Sequence, residues 1–344
     1  PEHETTGHDG SSAIPVGQRN QTLTSLAGSM RRKGLDAEAI AACLRVHNQR
    51  ACKPPLPDKD IETIARSIGR YKPAERKYNA TLRCRSFSEI HPRKVNYVIP
   101  EILPAGKITS LVAQEGAGKS TLASHFAAAV STGGHWPTGG HIERGDVLIF
   151  SHEESPECAI APRLAANDAD TSRIFLGENV VGADGETEFN VERDTHLLDE
   201  WADRLPDLRL VIFDPITSYV DCNENSNSEV RRALKNIIDF AERRQIAILA
   251  LSHLSKKIDL GMINRTLGSR AWSSVPRMIW GLQTEHSEDE EGNKIDTGRR
   301  YLLCVKCNLG RKPQGMRFAI EEGGRVVFDA ERYDKDIDHI EGGA

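Results

Sequence analysis

The chain has 344 residues, 38% of them apolar and 28% charged, with a formal net charge of −5. That is the composition of a soluble globular protein with room for about two domains of ~150 residues each, and it excludes a disordered polymer. No apolar run reaches about 18 residues, so no transmembrane helix is expected and no membrane partner is implied; seven cysteines without a disulfide-framework spacing fit a reducing cytosol.

The charge is unevenly spread. Residues 15–96 hold 17 Lys/Arg against 7 Asp/Glu, a surplus of +10, so the remainder carries −15. A basic module on an acidic body suggests a polyanion contact through the N-terminal part, with a solvated basic face as the equal alternative.

Residues 1–14 are polar and rich in Gly and Ser, and are read as a disordered tail; the missing initial Met is expected of a fragment or processed product. Three helices follow. The first, Thr22 to Lys33, buries Leu23, Leu26, Ala27 and Met30. The second, Asp36 to Arg50, buries Ile40, Cys43, Leu44 and His47. The third, Lys59 to Arg70, is capped by Asp58 and buries Ile61, Ile64, Ala65 and Ile68. Pro54-Pro55-Leu56-Pro57 breaks the second from the third. A helical domain over 15–72 and a basic linker over 73–97 are expected, ahead of an α/β domain over 98–330 and a tail over 331–344.

In that body, strands alternate with helices, which implies a mostly parallel sheet. Strands are read at 108–113, 146–151, 174–181, 208–214 and 246–252. Shorter ones near 277–283, 299–307, 315–320 and 325–328, with a charged turn from His286 to Asn293, suggest a C-terminal antiparallel extension. In the strand-like run to Cys307, Cys304 and Cys307 should point to opposite faces, which argues against a metal pair.

The strand Ile108–Val112 runs into Ala113-Gln114-Glu115-Gly116-Ala117-Gly118-Lys119-Ser120-Thr121 and then an apolar helical pattern. Strand, Gly-rich turn and helix are the setting of a phosphate-binding P-loop. Gln114 through Thr121 would cradle ATP, Lys119 would reach the β/γ-phosphates, and the Ser120 hydroxyl would hold Mg²⁺. Ala113 stands where the motif has its first glycine, a substitution that positive φ would not tolerate.

Ligands of open α/β sheets sit at the C-terminal ends of the strands. The strand Leu208–Phe213 delivers Asp214 there, a Walker B carboxylate for the Mg²⁺ shell. The strand Val147–Ser151 is followed by Glu153, the choice for the hydrolytic base, with Glu154 as its understudy or a helix-terminal charge. The strand Ile246–Ser252 ends at His253, a γ-phosphate sensor or a structural histidine. The loop from Lys256 to Leu267, with Lys257 and Arg265, could grip single-stranded nucleic acid or simply connect.

Taken in order, Ile102–Lys107, the P-loop, Val147–Ser155 with Arg163-Leu164, Asp214-Pro215, Ser252–Lys256, Leu267–Ala271 with Arg277, and Val305–Gly310 resemble RecA-like P-loop ATPases of the RepA hexameric helicase type. Members of that family often carry Ala at the first P-loop position. The resemblance implies that Arg163 lies near the adenine and that Lys306 is inserted into a neighbouring subunit's active site. Related helicases have Arg where this chain has Asn308, which leaves Arg277 and Arg311 as substitute arginine fingers. Gly17–Asn20, Leu23, Ala27-Gly28-Ser29, Gly34, Asn48, Pro54-Pro55-Leu56 and Ile64–Tyr71 resemble the small helical domain found C-terminal to primases. Together the resemblances imply an ATP- and Mg²⁺-dependent DNA helicase or primase-helicase that forms a homo-oligomeric ring on single-stranded DNA. They imply a cytoplasmic replication protein of a phage, plasmid or integrated element, with a primase or polymerase domain possible upstream. An ATP-dependent switch or loader is the alternative.

Overall fold

The computed structural model describes residues 14–71, 84–183, 185–253 and 270–333, and divides into two compact units that meet near His91 and Pro92 in sequence.

The first unit holds α1 (Arg19–Arg32), α2 (Ala37–Ala51) and α3 (Asp58–Gly69) around Leu23, Ala27, Ile40, Ala41, Leu44, Ile61, Ile64 and Ala65. Asp36 caps α2 by accepting from the Ala39 N–H at 2.8 Å. Asp58 does not cap α3. Pro57 precedes the helix, and the Asp58 carboxylate pairs with Arg45 instead. The buried face of α2 is also turned from the expected one: Cys43 and His47 are exposed, while Ala41 and Asn48 are buried. The reason is Asn48. Its side-chain amide donates to the Leu56 carbonyl and its oxygen accepts from the Leu56 N–H, both at 2.9 Å. One side chain thus satisfies both backbone groups of a proline-flanked residue that no helix can satisfy.

The second unit is a three-layer α/β body. Its strands are β1 (Tyr97–Ile99), β2 (Leu103–Pro104), β3 (Ile108–Ala113), β4 (Gly134–His135), β5 (His141–Ile142), β6 (Asp146–Ser151), β7 (Ile174–Leu176), β8 (Val180–Gly182), β9 (Gly185–Thr187), β10 (Leu208–Asp214), β11 (Ala247–His253), β12 (Met278–Glu288), β13 (Lys294–Cys307), β14 (Gly315–Ile320) and β15 (Val326–Tyr333). Nine form one sheet in the order β15-β14-β13-β12-β3-β11-β10-β6-β7. From β12 to β7 neighbours run parallel, and β13, β14 and β15 add antiparallel. The first of the late strands, β12, therefore belongs to the parallel core, where it pairs with the P-loop strand.

Central strands alternate faces. Leu210, Ile212, Leu249 and Leu251 pack with α4 (Lys119–Thr132), whereas Val211, Phe213, Ile248 and Ala250 meet the layer of α6 (Val191–Arg204), α7 (Asn227–Ala233) and α8 (Lys235–Arg244). The short α5 (Ala161–Ala166) follows β6 through a single π-turn, Pro156–Ile160. β12 and β13 continue past the end of β3 as a hairpin, because Leu282 already stands beside Ala113 and β12 runs on to Glu288. The reading of 174–181 as one strand does not hold: β7 stops at Leu176, and Val180–Gly182 turns into a separate hairpin with β9.

Asn48→Ala leaves the Leu56 backbone groups unpaired, and we expect about 1–3 kcal/mol lower stability of the helical unit. Native-state hydrogen exchange at α2 and α3 reads it; unchanged protection there would contradict the assigned role.

Candidate nucleotide site

Four adjacent strands end in two level pairs, β10 and β6 stopping two residues before β11 and β3. Ala113 of β3 stands beside His253 of β11, and Asp214 of β10 beside Ser151 of β6. The turn from β3 into α4 has positive φ only at its glycines, Gly116 (75°) and Gly118 (96°). Ala113 lies inside β3, fully buried, so alanine is tolerated where the motif usually has glycine. A Cβ on Gly118 would also lie 2.5 Å from Ile320 Cδ1.

Lys119 opens α4 and folds its ammonium back beneath the turn. Nζ donates to the Gln114 carbonyl at 3.1 Å and the Ala113 carbonyl at 3.4 Å, and stands 3.3 Å from His253 Nδ1. Burial holds its pKa below the ordinary lysine value, against the pull of Asp214, Glu153 and Glu115. His253 Nε2 faces Glu153 Oε2 at 3.7 Å, so Lys119, His253 and Glu153 form one line across the strand tips.

Asp214 is 8% exposed, and the Ser120 hydroxyl donates to its carboxylate. Burial pushes its pKa up, with Ser120 and Lys119 opposing. Ser120, Asp214, Ser151 and Glu154 line one small cavity, and the Ser151 hydroxyl oxygen is buried with no partner. A hydroxyl, a carboxylate and an orphaned second hydroxyl suit a hydrated Mg²⁺. Ser120 and Asp214 would hold the ion, which would neutralise phosphate charge there.

The two acids after β6 are separated by their surroundings. Glu154 pairs with Arg163 of α5, whereas Glu153 is half exposed and faces His253. Arg163 and Thr121 both lie against Gly324 in the turn before β15: a Cβ there would be 3.0 Å from Arg163 Cγ and 3.6 Å from Thr121 Cγ2.

Arg277 and Lys306 are at the opposite strand ends from the P-loop. The Arg277 N–H donates to the carbonyl of Ile108, the first residue of β3, about 17 Å along the strand from the P-loop. Lys306 Nζ donates to the carbonyls of Ser273 (2.7 Å), Ser274 (3.2 Å) and Pro276 (2.8 Å) in its own chain. Neither reaches the nucleotide site of the same subunit. The whole of Lys256–Leu267, with Lys257 and Arg265, lies outside the described residues, as do its neighbours from Leu254 to Ser269.

A family model described as an AAA domain matches residues 74–259, more than half of the chain. The chain belongs to the AAA domain family. A second model, Primase C terminal 1 (PriCT-1), matches residues 11–74, the span of the helical unit. Among solved structures, the crystal structure of the RadB recombinase is similar at 16% identity and a TM-score of 0.45, over 64% of this chain and 90% of that chain. This AAA domain protein thus combines a P-loop ATPase body with a primase C-terminal module. Among the described residues no helix is long and apolar enough to cross a membrane.

Two residues beside the candidate site escaped the sequence reading. Ser151 ends β6 and could have been found as the strand-tip neighbour of Asp214. Arg300 donates through Nε to the Ala117 carbonyl at 3.1 Å, and nothing in its local sequence marks it.

Folding raises the Asp214 pKa above its unfolded value of 3.8, so its contribution is favourable below that pH and is lost as pH rises through the folded pKa. At neutral pH the ionised group burdens the nucleotide-free protein. Asp214→Asn should therefore melt above the wild type at pH 7, with the gap closing toward pH 4, while Mg–ATP turnover falls at least about a hundredfold. A lower melting temperature at pH 7 would contradict this.

Proposed function

We propose that the protein is the Mg²⁺-dependent ATPase of a ring-forming replicative DNA helicase or primase-helicase, coupling ATP hydrolysis to movement along single-stranded DNA. The observation that carries the reading is the partition of candidate groups between the two ends of the strands. Lys119, Glu153, Asp214 and His253 gather at one, with Arg163 beside them, and Lys306 and Arg277 stand at the other. An active site completed by Lys306 or Arg277 needs a second copy of the chain. Glu153 then orients the attacking water, His253 senses the γ-phosphate from between Lys119 and Glu153, and Lys119 neutralises charge on the transferred group. Arg163, beside Thr121, contacts the adenine. The primase C-terminal module and the basic surplus of residues 15–96 support single-stranded DNA as the track.

A second reading is an ATP-dependent oligomeric switch or loader that recruits a replication partner without translocating. What favours it is the capture of the Lys306 ammonium by three carbonyls of its own chain, together with Asn308 where related helicases have Arg. Strand displacement separates the two: a loader hydrolyses ATP without unwinding.

The ATPase rate of the motor should rise with protein concentration and with added single-stranded DNA. Lys119→Ala should abolish turnover, and Lys306→Ala should lower it by at least about a hundredfold with nucleotide binding retained. A rate indifferent to both DNA and concentration would remove the motor.

A further inference from the structure

We propose that Arg300 is a positioning residue of the phosphate site, holding the Ala117–Gly118 peptide plane so that the Gly118 N–H stays aimed at the phosphates of a nucleoside di- or triphosphate. The inference rests on reading residues 113–121 as a working P-loop.

Ala117 sits between the two positive-φ glycines of the turn. Rotating the 117–118 peptide changes only ψ of Ala117 and φ of Gly118, and glycine accepts either sign of φ. Nothing in the covalent geometry therefore keeps this plane in one orientation. Arg300, 7% exposed, supplies the restraint by donating from Nε to the Ala117 carbonyl at 3.1 Å.

The donor is itself aimed. The two terminal nitrogens of the guanidinium meet both oxygens of Asp296 at 2.7 and 2.9 Å, and Nη1 also donates to the Arg299 carbonyl at 2.9 Å. The fork is thus anchored within β13, with Nε pointing at the loop. The guanidinium beside Asp296 keeps that carboxyl below the ordinary aspartate range, so the pair stays ionised at neutral pH.

A trans peptide is planar, with C=O and N–H antiparallel. Fixing the Ala117 carbonyl toward β13 turns the Gly118 N–H the other way. Donation from a charged group also polarises the amide and strengthens its N–H as a donor. P-loop N–H groups cradle the α- and β-phosphates, which ATP and ADP share. Arg300 should therefore matter about equally for both, unlike a γ-phosphate contact.

The test is calorimetric titration of the full chain with ADP and with ATP in Mg²⁺, alongside steady-state turnover and nucleotide-free melting. Arg300→Gln should weaken both nucleotides about tenfold, raising KM while kcat changes less than about threefold. Arg300→Lys should recover part of the loss. Asp296→Asn, which leaves Arg300 in place but unaimed, should weaken both nucleotides less than Arg300→Gln; it decides the matter if the Gln variant does not fold. The proposal is overturned if the variants bind both nucleotides as the wild type does. It is equally overturned if ATP affinity is lost and ADP affinity kept, or if affinity follows melting temperature with no recovery by Lys. A wild-type chain that binds neither nucleotide would instead remove the P-loop reading itself.

Discussion

The buried ammonium of Lys119 is the constraint around which the ATPase unit is arranged. An alkylammonium taken from water needs close anionic or dipolar partners, and here its neighbours are two carbonyls and an imidazole, with the carboxylates of Asp214, Glu153 and Glu115 near enough to pull on it. The result is a lysine whose pKa is lowered next to an aspartate whose pKa is raised, both because burial penalises charge. Anionic phosphate would move the Lys119 pKa back up, and a divalent cation would move that of Asp214 back down. Each component relieves one of the two strains, and a metal–phosphate ligand relieves both at once.

That arrangement depends on the strands ending close together on one side of the sheet. A parallel sheet whose central strands are buried on both faces is written as continuous apolar runs, and those runs end where the chain must turn back. This is why β3, β6 and β10 could be read from the sequence to the residue, and why the polar groups at their tips, Lys119, Glu153 and Asp214, were found with them. The hairpin β12–β13 was read short for the complementary reason. Its outer half, Thr284 to Arg299, hangs beyond the core and is polar, so no apolar pattern marks it. β7 was read too long because the apolar residues of the β8 strand follow closely in sequence although they belong to a different pairing.

Other features are invisible to period counting because they depend on partners far away in sequence. Val305 is an extra residue in β13: Ile279 stands beside Lys306, but Trp280 stands beside Cys304. The bulge reverses the alternation, so Cys307 packs against the same core as Cys304 rather than facing away. Burial and the neighbouring Cys307 push the Cys304 thiol up to about 12, and neither cysteine is in a disulfide. Arg300 is a similar case, since its decisive partner is a backbone carbonyl 183 positions earlier, which has no sequence signature at all. The turned face of α2 is a third, set by a hydrogen bond between Asn48 and Leu56 and not by where the apolar residues fall.

Arg300 and Lys306 lie on one strand, six residues apart, and that spacing has a mechanical meaning. In extended backbone it spans about 20 Å, the distance along the strands from the P-loop end to the end that carries Arg277. At one end β13 holds the Ala117 carbonyl, and at the other it holds the carbonyls of Ser273, Ser274 and Pro276, in the segment that follows the loop after β11. Between them β13 is paired with β12 along its length, interrupted at the Val305 bulge, and with β14 only over Arg299–Leu302. The Ala117–Gly118 peptide and the root of the Lys306 side chain are thus both fixed by one strand, which ties the geometry of the phosphate loop to that of the opposite end of the sheet.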